Sequence, residues 1–162
     1  SGKHPLKSVQ VMNKTAVFYE PKTDDDLRTN IQFSVRDTSA LICDAAFDLY
    51  RDYIKANQDV DGFMVFTETG KTATLLSRYR PKVLVFTFTQ TPEVCESLSI
   101  NFGVEPFVFE YKDHDEVTQK ELTRAVAILK KHGLLKIRRG KLIVIHGDQW
   151  GRGSGATTIR II

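Results

Sequence analysis

The sequence predicts an α/β fold, a three-layer open sheet of about five strands with helices on both faces. Short apolar runs alternate with amphipathic helical segments between residues 63 and 146. These runs are apolar throughout, which is typical of parallel strands that are covered on both faces. The final run, residues 157–162, follows a glycine-rich stretch that is too short for a crossover helix. We therefore expect a mostly parallel sheet whose last edge strand is antiparallel.

The individual elements follow from apolar periodicity and from residues that begin or end helices. A first helix is predicted from Pro5 to about Glu20, and Asp37 is expected to cap a second one. The remaining prediction is strand 63–67, helix 70–79, strand 82–88, helix 92–102, strand 104–109, helix 115–132, and strands 141–146 and 157–162. The expected organisation is a helix over residues 1–20, a polar linker over 21–36 and one α/β domain over 37–162.

Composition narrows the class of protein. The chain has 162 residues, a net charge of +3 and charges of both signs along its length, so no nucleic-acid footprint emerges. No apolar run reaches the roughly 18 residues that a membrane span needs. There is no signal peptide, and two distant cysteines suit a reducing compartment, so we expect a cytoplasmic protein. The chain starts without Met, and we expect it to come from a longer protein.

The segment Thr67-Glu68-Thr69-Gly70-Lys71-Thr72 is the first candidate binding site. A P-loop for ATP would need a glycine where Val65 stands, inside a predicted strand, so that interpretation fails. Threonine hydroxyls, helix-start amides and the Lys71 ammonium suit a single phosphate instead. The alternative is purely structural: Thr69 caps the helix and Gly70 permits a tight turn.

A second candidate is the glycine-rich segment between His146 and Thr158. Its glycines exceed what a hairpin needs, and an aromatic ring and a guanidinium lie among them. Such a loop suits a lid that closes over a ligand, although a loop in solvent would have the same composition. The predicted loop residues are Trp150, Gly151, Arg152, Gly153, Ser154, Gly155 and Ala156.

Catalytic and metal-binding signals are weak. The four histidines share no metal-ligand spacing and neither cysteine neighbours a histidine, so we assign no catalytic residue and no metal site. The run Asp24-Asp25-Asp26 is interpreted as a solvated linker. The acidic residues Asp113, Asp115 and Glu116 are expected to cap the long helix.

Several motifs resemble the C-terminal domain of pyruvate kinase. The stretch "TETGKTATLLSRYRPKVLVFTFT" is similar to that family's T-x-[ST]-G-[RK]-[ST]-A turn, followed by a helix ending in R-P and a strand. The stretch "GRGSGATTIRII" resembles the family's closing segment, and "GKHPLKSVQVM" resembles the helix that leaves its catalytic barrel. The resemblance covers nearly the whole chain.

The resemblance implies a regulatory role. In this family the Mg²⁺, K⁺, ADP and phosphoenolpyruvate sites lie on a TIM barrel, which we expect outside this chain, so the chain alone is expected to be inactive. The C-terminal domain binds a phosphorylated sugar, commonly fructose 1,6-bisphosphate, and helps to form a homotetramer. By matching motif, Thr67, Thr69, Gly70, Lys71 and Thr72 would hold one phosphate, and the loop Trp150 to Ala156 would close over the sugar and the other phosphate. Arg124 is a candidate for the second phosphate.

Some residues depart from the family pattern. Glu68 places a carboxylate within the phosphate turn, and Thr158 replaces the asparagine of the closing motif. Repulsion between Glu68 and a bisphosphate would cost on the order of 1 kcal/mol. Two alternatives therefore stay open: a stand-alone domain that binds another phosphorylated ligand, and a module whose only role is subunit association.

Overall fold

The structure is a computed structural model, and it describes residues 2–19, 37–111, 117–135, 140–147 and 155–162. The chain divides into two units, Ser1–Gln32 and Phe33–Ile162. In the first unit, helix α1 spans Pro5–Tyr19, and none of its residues is buried. Pro5 suits the start of a helix, where its missing N–H costs nothing. The predicted first helix is thus present, with Glu20 outside the described residues.

The second unit alternates strands and helices. It contains α2 (Thr38–Lys55), β1 (Val60–Phe66), α3 (Lys71–Ser77), β2 (Leu84–Thr89), α4 (Pro92–Leu98), β3 (Val104–Val108), α5 (Gln119–Lys131), β4 (Lys141–His146) and β5 (Thr158–Ile161). Asp37 caps α2, because its side chain accepts a hydrogen bond from the Ala40 amide.

The five strands form one sheet in the order β3-β2-β1-β4-β5. The pairs β1–β2, β1–β4 and β2–β3 are parallel, whereas β4–β5 is antiparallel, with Ile145 opposite Ile159. The predicted fold class is confirmed, including the antiparallel edge strand. The strand order adds that β1 lies between β2 and β4.

One face of the sheet packs against α5. Successive side chains of a strand point to opposite faces, so Met64 and Phe66 of β1 share a face with Phe86 and Phe88 of β2. These side chains form a buried cluster with Leu122, Ala125 and Leu129 of α5. Burying one such aromatic side chain stabilises the fold by about 2–3 kcal/mol.

The opposite face packs against α2 and α3. The Tyr50 ring of α2 lies 5.5 Å from the ring of Phe63 in β1, measured between centroids. Phe47 of α2 stacks on Tyr79, which follows α3, at 4.6 Å. The thiol of Cys43 donates a hydrogen bond to the Thr72 carbonyl. Helices therefore cover both faces of the sheet.

Several predicted boundaries were wrong. The third and fourth helices end at Ser77 and Leu98, not at Tyr79 and Phe102. Three residues after the end of the third helix, Arg80 has φ +49°. Arg80 precedes Pro81, and a residue before proline avoids the helical region, so the helix cannot continue through it. The fifth helix begins at Gln119 with Thr118 as its N-cap. The expected caps Asp113, Asp115 and Glu116 lie outside the described residues.

Candidate functional site

The two predicted binding segments leave neighbouring strands of the sheet. Strands β1 and β4 are adjacent and parallel, with Val65 opposite Ile145, so their carboxyl ends lie side by side. From β1 the chain continues through α3 to β2 on one side, and from β3 it returns through α5 to β4 on the other. The order of the strands therefore reverses between β1 and β4. In open α/β sheets ligands bind in the crevice at such a position.

The segment after β1 is a tight turn held by its own threonines. The Thr67 hydroxyl accepts a hydrogen bond from the Gly70 amide at 3.0 Å, and the Thr69 hydroxyl accepts one from Lys71 at 3.4 Å. Gly70 has φ +78° and is the N-cap of α3, so the structural alternative is wrong in naming Thr69 as the cap and right in placing a tight turn at Gly70. A positive φ at this position favours glycine, which explains its place in the turn.

The side chains of the turn differ in their exposure. Thr67 and Thr72 are buried, while Thr69 and Lys71 are exposed and Glu68 is half-buried. The negative charge of Glu68 affects the pKa of the buried Tyr111, whose hydroxyl donates a hydrogen bond to the Phe88 carbonyl. Burial raises the pKa of Tyr111, and the carboxylates of Glu121 and Glu68 raise it further. The turn itself thus carries two opposite charges, the ammonium of Lys71 and the carboxylate of Glu68.

Lys71 forms an ion pair with a residue outside the turn. Its Nζ atom lies 3.0 Å from Oδ2 of Asp37, the N-cap of α2. The hydrogen bond from Lys71 holds the pKa of the Asp37 carboxyl below its usual value. Exposed ion pairs of this kind are weak and exchange readily, so Lys71 is available to a competing anion.

The carboxyl end of the glycine-rich segment is fixed to α2, the helix that Asp37 caps. The Ala156 amide donates to the Ser39 hydroxyl at 3.0 Å, and both residues are buried. Gly155 has φ +71°, and a Cβ atom there would lie 2.3 Å from the Ser39 oxygen. Glycine is therefore required where the segment meets α2. Trp150, Gly151, Arg152, Gly153 and Ser154 lie outside the described residues.

Comparisons with known proteins agree with this architecture. Residues 43–162 match the sequence profile of the family described as pyruvate kinase, alpha/beta domain. The chain belongs to the pyruvate kinase family. It is 33% identical over 154 residues to plastidial pyruvate kinase 3 of Arabidopsis thaliana. This alignment covers 91% of this chain and 24% of that protein.

More distant pyruvate kinases align over almost the whole chain. A pyruvate kinase of Lachancea kluyveri is 28% identical over 169 residues, and one of Thermococcus litoralis is 27% identical over 167 residues. Both alignments cover 99% of this chain and 32% of the relative. The chain therefore spans about a quarter to a third of the length of these pyruvate kinases.

Arg124 lies at a different strand end. Its guanidinium donates to the Glu110 carbonyl at 3.0 Å and lies over the Phe109 ring, 4.7 Å from its centroid. Both partners follow β3, which is two strands away from β1 in the sheet. These contacts join Arg124 to the chain after β3, while the turn follows β1. Its role toward a second phosphate stays a prediction.

Asp37 and Ser39 were missing from the sequence-based site. Asp37 was identified only as a helix cap, and Ser39 carried no signal of its own. Their partners Lys71 and Ala156 come from distant parts of the chain, Ser39 and Ala156 being 117 residues apart. A link of this kind depends on how the helices pack on the sheet, which local sequence does not report.

Neither a metal centre nor a membrane span is found in the described ranges. No three residues among the described His, Cys, Asp and Glu lie together in a way that could hold a metal ion. None of the helices described has the length and apolar character to cross a membrane. Among the described residues, the buried hydroxyl oxygen of Thr157 finds no hydrogen-bond partner.

Proposed function

We propose that this chain is the regulatory C-terminal domain of a pyruvate kinase and that it binds a phosphorylated sugar, with fructose 1,6-bisphosphate as the first candidate. The observation that carries the proposal is the adjacency of β1 and β4, since both predicted binding segments leave the sheet at this reversal of strand order. The hydroxyls of Thr67, Thr69 and Thr72, the backbone at Gly70 and the ammonium of Lys71 would hold one phosphate. The loop Trp150 to Ala156 would cover the sugar.

The proposed role is regulatory, without chemistry in this chain. The parent enzyme would transfer a phosphoryl group from phosphoenolpyruvate to ADP, which forms pyruvate and ATP. That step, with its Mg²⁺ and K⁺, would take place on a barrel outside this chain. None of the described residues is proposed to take part in it. An effector that joins the turn and the loop would favour one conformation of the domain, and packing in a homotetramer would transmit that preference.

The cellular compartment of the protein stays part of the proposal. A cytoplasmic location was expected from composition, but the Arabidopsis relative is chloroplastic by its name. Partners are proposed to be the barrel and further copies of the enzyme.

Calorimetric titration of the 162-residue chain with fructose 1,6-bisphosphate tests the proposal. We expect Lys71→Met to weaken binding about tenfold or more, since a charge-assisted hydrogen bond to phosphate is lost. Lys55→Met is the matched control, because Lys55 also forms an exposed ion pair, with Asp52, at the far end of α2. Equal binding by Lys71→Met and the unmodified chain would exclude the turn as the phosphate site.

A second candidate is a domain that serves only in subunit association. It is favoured by the ion pair at Lys71 and by Glu68, which both oppose an incoming anion. Under this alternative, sedimentation would show self-association of the chain while calorimetry detects no phosphate ester at millimolar concentration.

A further inference from the structure

The one cation of the turn already has an anion beside it. Lys71 is 58% exposed and its Nζ atom is 3.0 Å from Asp37, whose side chain is 29% exposed. The other carboxylate oxygen of Asp37 accepts a hydrogen bond from the Ala40 amide at 3.4 Å. The backbone of α2 therefore fixes the Asp37 carboxylate, while the lysine side chain reaches it from α3.

We infer that Asp37 is an internal counter-anion that competes with the phosphorylated ligand for Lys71 and so sets the affinity of the turn. The inference rests on the proposed function, because it concerns the same phosphate. A lysine ammonium has three donors and could contact Asp37 and a phosphate together. The two anions would then lie within a few ångströms of each other, and their repulsion would oppose binding.

Asp37 is better placed for this role than a flexible acidic residue would be. An unconstrained carboxylate could rotate away when a phosphate arrives, at little cost. Asp37 cannot do so freely, because the same side chain caps α2 and rotation would break its hydrogen bond with the Ala40 amide. Its charge therefore stays near Lys71 whether or not a ligand is bound. Ligands with more negative charge have to overcome it.

The test is Asp37→Asn, because asparagine caps a helix about as well as aspartate and removes only the charge. We expect the variant to bind inorganic phosphate and fructose 1,6-bisphosphate about two- to fivefold more tightly than the unmodified chain, as exposed ion pairs predict. The gain should shrink between low salt and about 0.5 M salt, where such charges are screened. Isothermal titration calorimetry measures both effects.

Asp52→Asn provides the matched control. It makes the same change of charge in the same helix and also breaks an exposed lysine pair, but it lies roughly 22 Å further along the helix axis. We expect its affinity to equal that of the unmodified chain. In Lys71→Met, adding Asp37→Asn should give a smaller gain than it gives when Lys71 is present.

The outcomes separate the inference from the proposed function. Tighter binding by Asp37→Asn, with Asp52→Asn unchanged, supports the inference. Equal or weaker binding by Asp37→Asn overturns it, and Asp37 is then a structural cap, while the phosphate turn itself stands. If neither the unmodified chain nor Asp37→Asn binds either probe at millimolar concentration, the proposed phosphate site is rejected and the inference is rejected with it.

Discussion

Gly70 shows at the scale of one residue why the turn has its sequence. Its φ of +78° lies in the left-handed region, and a Cβ atom there would lie 3.1–3.2 Å from side-chain atoms of Leu98 and Val94 in α4. Two separate constraints therefore act on one position, a backbone conformation and a close contact. The first could be expected from a glycine at a tight turn, whereas the second depends on where α4 packs.

We expect Gly70→Ala to lower the free energy of unfolding by about 2–3 kcal/mol. About 1 kcal/mol comes from the left-handed conformation, and the rest from the contact with α4. Gly103→Ala is the matched control, since Gly103 has φ +69° and a Cβ atom there would meet nothing within 4 Å. Urea unfolding measures both variants. Equal losses would mean that Leu98 and Val94 move aside at no cost.

The residues of the site were only partly predictable from sequence. Thr67, Thr69 and Gly70 make contacts within a few residues, so a local pattern was enough to identify the turn. The Lys71–Asp37 pair joins two helices and has no local signature. Arg124 was a candidate only through the resemblance to pyruvate kinase, and the structure places it against Phe109. Local chemistry therefore identified the turn, and packing decided which charges reach it.

At the scale of elements, the first turn of α2 joins the two segments of the candidate site. Asp37 contacts the turn through Lys71, and Ser39 contacts the end of the glycine-rich segment through the Ala156 amide. The predicted element types were correct, while several ends were not. Ile100 and Phe102 are exposed instead of buried against the sheet, and α4 ends at Leu98. Apolar residues in the sequence had suggested a longer helix than the sheet supports.

We expect Ser39→Ala to destabilise the chain by about 1–3 kcal/mol, because it leaves the buried Ala156 amide without an acceptor. Hydrogen exchange at that amide should accelerate. Ser97→Ala is the control, because the exposed Ser97 hydroxyl bonds to the Val94 carbonyl of its own helix. If amide exchange at Ala156 is unchanged in Ser39→Ala, the hydrogen bond does not fix the segment.

At the scale of the whole molecule, the sequence predicted the class of sheet but not the order of its strands. Continuous apolar runs and a short last connection were enough for a parallel sheet with an antiparallel edge. The order β3-β2-β1-β4-β5 depends on which strands meet through non-local contacts. Because that order places β1 beside β4, it also decides which loops share a crevice.

Cys43 lies where α2 packs against α3, and the ionisation of its thiol reports on the stability of the whole unit. It is fully buried between α2 and α3, and its thiol donates to the Thr72 carbonyl. Burial raises the pKa of the thiol from 9.0 to about 12, and the carboxylates of Asp37 and Asp44 add to the effect. The folded state therefore keeps the thiol protonated at pH values where the unfolded chain would ionise.

The pKa of Cys43 predicts how stability changes with pH. Because the folded pKa is raised, the contribution of this thiol is complete below pH 9.0 and declines as pH rises toward 12. By about pH 10 the free energy of unfolding should fall by about 1 kcal/mol. Chemical denaturation at about pH 8, 9 and 10 measures this in a Cys95→Ala background, since the pKa of Cys95 is raised too. The pKa values of the buried Tyr79 and Tyr111 are raised as well, so part of the decline near pH 10 comes from them. Adding Cys43→Ala should therefore reduce the decline by about 1 kcal/mol without abolishing it; a decline of the same size without Cys43 would assign it to other groups.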